Sequence, residues 1–436
     1  MKYQLLSKLI AWMFPTPADR MRFRTWCKEL DNRKNIELIK NNYENLLKKF
    51  NNNTAERPIK VLFLVNDIAK WKAQSLYDLM KESHEFKPFI ALTLADYQPK
   101  LDLIDRKKII DEAYNFFTSK SMDCVIAYDA EHNKEFNLDE FEPHMVFYQQ
   151  PWQIAKNQLP LAVSKFALTF YIPYYVQNYG EPYLECHQEL HQTIFRYYII
   201  DKNWEIQYLP ELKNAAGSIK GLGHTALDIY YKNNTENENK YVIYAPHHSI
   251  SDWPNFATIQ KNGKEILEYA KSHKELNWVF KPHPNLKYRL IKNKIMTQDE
   301  ANKYYKEWES FATVSYDSDY TKYFLNSKAL ITDSASFLTE YFCTGKPVIH
   351  LISSRANVKA QPPFQKILDT FYEVRNTGEM LNEFNNILIK NNDYAKEKRL
   401  KALEESKLTN VYAAENILND LKNYVKIMKE KEIWQI

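Results

Sequence analysis

The sequence predicts an α/β protein built from two doubly wound, Rossmann-like domains. Three observations carry this. Short, nearly continuous apolar runs alternate with helical segments, the pattern of parallel strands buried on both faces. The alternation stops at one strongly polar stretch, residues 232–240, and then begins again. A length of 436 residues allows two or three domains at about 150 residues each.

Residues 1–55 read as a helical, basic segment. The first fourteen residues are apolar, but Lys8 interrupts them and Pro15 and Pro17 follow, so no cleaved signal peptide is expected. Arg20, Arg22, Arg24, Lys28, Arg33 and Lys34 come next, interleaved with Met21, Phe23 and Trp26. This pattern suits either a solvated helix packed on the body or contact with an anionic membrane surface. No run reaches the ~18 apolar residues of a membrane span.

Residues 56–231 form the expected N-terminal Rossmann-like domain. Its first strand is Ile59–Val65, ending at Asn66-Asp67. A helix over 70–81, a strand over 88–94, a helix over 102–120 and strands over 122–128 and 144–148 follow. The polar stretch 232–240 is the expected linker. The C-terminal Rossmann-like domain, 240–410, has strands at 241–245, 277–280, 329–332 and 347–351. Residues 411–436 close the chain as a helix, within a tail (377–430) that reads as mostly helical.

Composition narrows the chemistry. The formal charge is only +4, too mild for a nucleic-acid partner. Four scattered cysteines, Cys27, Cys124, Cys186 and Cys343, form no C-x-x-C pair. A cysteine zinc site is therefore not expected, and a reducing, cytoplasmic setting is. Glycine is scarce: seven in all and none before Gly180. That excludes G-x-G-x-x-G and Walker A phosphate loops, which need several glycines at fixed spacing. A bound nucleotide would need another phosphate cradle.

Ligands of open α/β sheets bind beyond the carboxyl ends of strands, and two such domains are expected to face a cleft. In the C-terminal half those ends are donor-rich: Pro246-His247-His248-Ser249, Lys281-Pro282-His283-Pro284, Asp333-Ser334-Ala335-Ser336 and Ser353-Ser354-Arg355. Asp333-Ser334-Ala335-Ser336 opens a helix, where Ser and Asp cap free N–H groups and an anion is favoured. Taken alone, ordinary capping explains it better, since Ser and Asp caps are the norm. His283 is braced by two prolines, which restrict the backbone around it. Its imidazole suits hydrogen bonding to a diphosphate, or protonation of a leaving phosphate. Adjacent His247 and His248 point opposite ways on an extended segment, so one of them is expected to face the ligand.

Three patterns read as structural. Asp317-Ser318-Asp319 has a D-x-D form but precedes a helix it would cap. His187 and His191 would share a helical face without forming H-E-x-x-H. Gly345-Lys346-Pro347 reads as a helix C-cap followed by a turn.

The C-terminal half resembles the CDP-glycerol glycerophosphotransferase family, the teichoic-acid and capsule polymerases of GT-B architecture. The carrying residues are Tyr244-Ala245-Pro246, Lys281-Pro282-His283-Pro284, Leu330 to Ser336, and Glu340-Tyr341 through Lys346-Pro347-Val348-Ile349. The resemblance implies a GT-B fold, two Rossmann-like domains facing a cleft with N- and C-terminal helices. It also implies a CDP- or CMP-activated donor held by Lys281, His283, Asp333, Ser334, Ser336 and Glu340, with no cofactor and no metal requirement. The implied partner is a glycan or lipid-linked glycan acceptor, at the inner face of the cytoplasmic membrane.

The N-terminal half departs from the family, whose His-Gly element supplies a candidate base. Here the comparable stretch is Phe147-Tyr148-Gln149-Gln150-Pro151-Trp152, and glutamine is no general base. Asp67 and Asp129, at strand ends, are the candidates, with His144 at a strand start; His247 and His248 join His283 as candidate catalytic groups. The expected function is transfer of glycerol phosphate, or a related polyol phosphate, to a surface-polysaccharide acceptor. Two alternatives stay open: a GT-B glycosyltransferase using a CMP- or other nucleotide-activated sugar, and a non-catalytic GT-B-like subunit.

Overall fold

The structure is a computed structural model that describes residues 2–53, 58–95, 101–233, 239–251, 254–316, 320–356 and 358–430. Asp317-Ser318-Asp319 and most of the polar stretch (234–238) lie outside them. The chain divides into two compact units. The first comprises residues 1–174, 182–226 and 412–436; the second comprises 175–181 and 227–411.

The first unit opens with two helices, α1 (Lys2–Ile10) and α2 (Pro17–Asn53). Its strands are β1 (Ile59–Val65), β2 (Phe86–Leu92), β3 (Cys124–Ile126), β4 (Tyr128–Asp129), β5 (Lys134–Glu135), β6 (Met145–Tyr148), β7 (Leu168–Tyr171), β8 (Arg196–Ile199) and β9 (Ser218–Gly221). Seven make one parallel sheet in the order β3-β2-β1-β6-β7-β8-β9; β4 and β5 form a separate antiparallel pair. The apolar run that predicts β1 is explained by its place near the sheet's middle, paired on both sides with both faces covered. Phe63 stacks on Phe147, which stacks on Phe170, across neighbouring strands.

Ile39 and Tyr43 of α2 enter this core, and so do Ile417, Leu418 and Leu421 of the terminal helix Ala413–Glu430. The terminal helix is tied by Asp420, which accepts from Tyr198 (2.9 Å) and from Lys220.

The second unit carries β10 (Tyr241–Ala245), β11 (Trp278–Phe280), β12 (Thr313–Val314), β13 (Ser327–Thr332), β14 (Val348–Leu351) and β15 (Tyr372–Val374). These form one parallel sheet in the order β12-β11-β10-β13-β14-β15. Phe280 stacks on Trp308 (4.8 Å, 12°) at the centre of its core.

Each sheet thus reverses its winding once, between β1 and β6 in the first unit and between β10 and β13 in the second. Adjacent loops part at such a reversal, which leaves a crevice at the strands' carboxyl ends.

Local departures from the sequence reading have local causes. The helix expected over 70–81 begins at Gln74, because Asp67 accepts from the Ala69 N–H (3.0 Å) and caps a tight turn first. The strand expected over 122–128 ends at Ile126, where the chain turns into the β4–β5 pair. The tail is mostly helical as expected, in the segments Thr377–Glu383, Phe384–Ile389 (a π-helix), Lys396–Ser406 and Ala413–Glu430. Gly345 takes φ +69° just after the helix Ser336–Phe342, the left-handed turn for which its sequence position argues.

Candidate functional site

The second unit's crevice gathers most of the sequence-selected residues. β10 delivers His247 and His248, β11 delivers Lys281 and His283, and β13 delivers Asp333, Ser334 and Ser336. The imidazoles of His248 and His283 stack at 3.8 Å between centroids, and His247 lies 4.5 Å from His248 and 5.9 Å from His283. All three rings therefore belong to one cluster, whereas the alternation of an extended chain predicts that His247 and His248 diverge.

Asp333 organises the cluster. It is buried at 2 % exposure. One carboxylate oxygen accepts from the His247 N–H (2.6 Å); the other accepts from the Thr258 N–H (2.6 Å) and hydroxyl (2.8 Å). Burial pushes its pKa up to about 6, against the lowering effect of these hydrogen bonds. The capping that the sequence suggests is not its role. The helix Ser336–Phe342 starts after Ala335 with no side-chain cap, and Asp333 ties β13 to the loop after β10 instead.

The tautomers follow from the neighbours. His247 Nδ1 accepts from the Ser249 N–H (3.1 Å) and faces the Ser249 hydroxyl at 2.8 Å; that hydroxyl accepts from the Phe256 N–H (3.0 Å). His283 Nδ1 accepts from the Asn285 N–H (3.1 Å). With Nδ1 used as an acceptor, each neutral ring carries its proton on Nε2. Both rings are held neutral. Burial, then the neighbouring imidazoles, lower His247 well below the usual range; burial, then His248, Lys281 and Arg289, lower His283 to about 3. His247 and His283 are thus neutral Nε2–H donors, and the Ser334 and Ser336 hydroxyls after β13 lie 3.2 Å apart.

Lys281 is buried, its ammonium 5.0 Å over the ring of Tyr320. The Tyr320 hydroxyl donates to Glu340 (2.7 Å), which also meets the Tyr230 hydroxyl at 3.5 Å. Glu340 therefore stands in a tyrosine-lined pocket in this structure.

Asp67 lies in the first unit, where it caps Ala69 and pairs with Lys70 at 3.3 Å. Asp129 ends β4, accepting from the Glu131 and His132 N–H groups of the following turn and pairing with the His132 ring at 2.6 Å. His144 directly precedes β6, its Nδ1 accepting from the Lys60 N–H (3.0 Å). His187 and His191 share no helix face. The chain breaks between Pro182–Cys186 and Glu189–Thr193, and the two rings meet different carboxylates, Glu211 and Glu185. Among the described residues, no group of three or more His, Cys, Asp or Glu side chains is placed to hold a metal ion.

Sequence reasoning missed Thr258 and the buttressing role of Ser249. Thr258 stands 75 positions from Asp333 in the chain, and no motif links them.

No protein family matches the chain, and neither does any curated protein. Solved structures match its fold. A variant of the wall teichoic acid polymerase TagF soaked with CDPG is 12 % identical at TM-score 0.53, covering 93 % of this chain and 98 % of that one. The UDP-GlcNAc 2-epimerase from Neisseria meningitidis, bound to UDP-GlcNAc, is 12 % identical at TM-score 0.52, covering 84 % of this chain and all (100 %) of that one. A further UDP-N-acetylglucosamine 2-epimerase is 14 % identical at TM-score 0.51, covering 84 % and 95 %. At these identities the likeness is one of fold: this chain is an α/β protein of the GT-B type, with two Rossmann-like parallel sheets.

Proposed function

We propose that the chain is a GT-B transferase of surface polysaccharide, moving glycerol phosphate or a related polyol phosphate from a CDP-activated donor to a glycan hydroxyl. One observation carries the reading: the neutral Nε2–H donors of His247 and His283 and the hydroxyls of Ser334 and Ser336 all follow the strands around the reversal of the second sheet. Such donors stabilise charge that develops on a leaving phosphate, and they need no glycine loop.

In this reading the donor's diphosphate lies against His283, Ser334 and Ser336, with His247 and His248 behind them and Lys281 adding positive charge. Asp333 positions His247 through its backbone. The acceptor hydroxyl gives its proton to a first-unit base, for which Asp67 is the candidate. The hydroxyl oxygen bonds to phosphorus, the bond from phosphorus to the CMP oxygen breaks, and CMP departs with the electron pair. The histidines act as hydrogen-bond donors here, since protonating His283 at neutral pH would mean reversing its depressed pKa.

The first unit also offers a membrane-facing candidate. Leu5, Leu9, Trp12, Met13 and Trp26 are exposed on α1, α2 and the turn between them, beside Arg22 and Arg24. We place that surface against anionic lipid. No helix among the described residues is long and apolar enough to cross a membrane.

The test is nucleotide release from purified protein given CDP-glycerol, CDP-ribitol, CMP-sialic acid, CMP-Kdo and UDP-sugars. CMP from a CDP-polyol supports the reading. Release from a nucleotide sugar alone replaces it with sugar transfer, and release from none favours a non-catalytic subunit.

A further inference from the structure

The turn after β14 is a donor-rich strand end with no part in the site described above. β14 lies beside β13, so Ser353-Ser354-Arg355 stands one strand beyond Ser334 and Ser336, at the same end of the parallel sheet. Next to it is the start of the helix Ile259–Ser272, which follows the loop after β10. Two exposed cations meet there. Lys261 donates from Nζ to the Ser354 hydroxyl (3.1 Å), and Arg355 donates from Nη2 to the Ala257 carbonyl (3.4 Å). Ala257 and Lys261 are four residues apart, about one helical turn. The Arg355 N–H donates to the Ser353 hydroxyl (3.3 Å), which shapes the turn.

The partners of both cations are neutral, and neither cation is ion-paired among the described residues. A carboxylate is within sequence reach. Glu265 follows Lys261 by four residues, the spacing of an ion pair along a helix. Lys261 turns to Ser354 instead, and Glu265 Oε2 is buried with no hydrogen-bond partner among the described residues. Asp333 spends both of its oxygens on the His247 N–H and on Thr258. Two like charges held against one turn repel each other, and an anion between them turns that repulsion into attraction. The guanidinium fork and the ammonium are the donors that suit an oxyanion.

We infer that Lys261, Arg355 and the Ser353 and Ser354 hydroxyls form a second oxyanion site, for a phosphate or carboxylate carried outside the donor's nucleotide. The groups that take the donor's diphosphate follow β11 and β13, whereas this site lies on the β14 side. The inference rests on the transferase reading only for the ligand's role: the anion belongs to the transferred group or to the acceptor. A phosphate and a carboxylate present the same oxygens, so the choice between them falls to the probes.

The test uses the full chain and three probes, glycerol 3-phosphate, N-acetylneuraminate and uncharged glycerol, titrated by saturation-transfer NMR with and without saturating CDP. Wild type is expected to bind at least one of the two anions saturably in the presence of CDP, and glycerol far more weakly. The anion that binds names the source, phosphate or carboxylate. Arg355→Gln and Lys261→Gln should each weaken that binding about tenfold, the size of one lost charge-assisted hydrogen bond. Arg355→Lys should retain more of it than Arg355→Gln. CDP affinity and circular dichroism should not change. Binding of neither anion, glycerol binding as tight as the anions, displacement of the anions by CDP, or equal binding by both glutamine variants would overturn the assignment. If CDP itself does not bind, the donor reading fails, while anion binding and its loss in the variants still decide this one.

Discussion

The two units share a winding order but differ in the groups that line the sheet reversal. In the second unit the groups at the sheet reversal are wired to each other: Asp333 holds His247 and Thr258, and Ser249 holds His247 from the other side. In the first unit the groups at the corresponding reversal include the Gln150 amide and the Gln149 amide nitrogen, which are buried with no hydrogen-bond partner among the described residues. The difference teaches how one scaffold is adapted. A site for a charged, reacting phosphate gains from preorganised donors whose protonation is settled before the ligand arrives.

The largest expected effect comes from the first unit's carboxylate. Asp67→Asn keeps an oxygen to cap Ala69 but removes the candidate base. Turnover of a CDP-polyol should fall by about 10²–10⁴, with CDP affinity unchanged, as read from CMP release and nucleotide titration. Retained turnover would move the base elsewhere and weaken the contrast between the units.

His283→Ala removes one neutral donor from the second unit. Turnover should fall by about 10²–10³, together with weaker CDP binding, in a chain whose circular dichroism is unchanged. A variant that loses turnover but keeps CDP affinity would show that the imidazole serves the transition state alone.

Asp333→Asn probes the wiring itself. It replaces at least one acceptor by a donor facing an N–H, so the second unit should lose about 1–3 kcal/mol, read from its urea midpoint. The first unit's midpoint should stay in place.

Acid should separate the units more gently. His247, His283 and His350 are all depressed in the folded second unit, His283 to about 3 and His350 to about 4, while the first unit has the partly buried His144. Below pH 6.5 the unfolded chain takes up protons that these folded rings refuse. Their stabilisation is therefore present above pH 6.5 and lost as pH falls toward 3. Asp333, raised to about 6, works in the opposite sense, losing stabilisation as pH rises from about 3.8 through about 6. Three histidines outweigh one aspartate, so the second unit's melting temperature should drop faster between pH 6.5 and 4.5. Equal slopes in the two units would break the comparison.

The smallest effect belongs to the surface. Replacing Arg24 by Glu and Trp12 by Ala should lower binding to vesicles rich in anionic lipid severalfold, about 1 kcal/mol for each charge near the surface. Turnover with a soluble acceptor should not change.

Much of this was legible without coordinates. Ile59–Val65 and Tyr241–Ala245 are apolar on both faces, and a chain with that pattern is stable only inside a covered parallel sheet. His283 between prolines, and the polar triplets after β10 and β13, marked the second unit's crevice because strand ends are where such sheets open. The sequence also showed that no glycine loop could hold a phosphate. Tertiary structure decided the rest. Asp333 reads locally as a helix cap, yet its partners are Thr258 and His247, 75 and 86 positions away. Which imidazole nitrogen keeps its proton depends on Ser249 and Asn285 backbone donors, and the depressed pKa values depend on burial, which no short motif encodes. Gln149 and Gln150 read in sequence only as the lack of a base. That the Gln150 amide and the Gln149 amide nitrogen stand buried without a partner among the described residues is a fact about every group around them, so only the folded chain could state it.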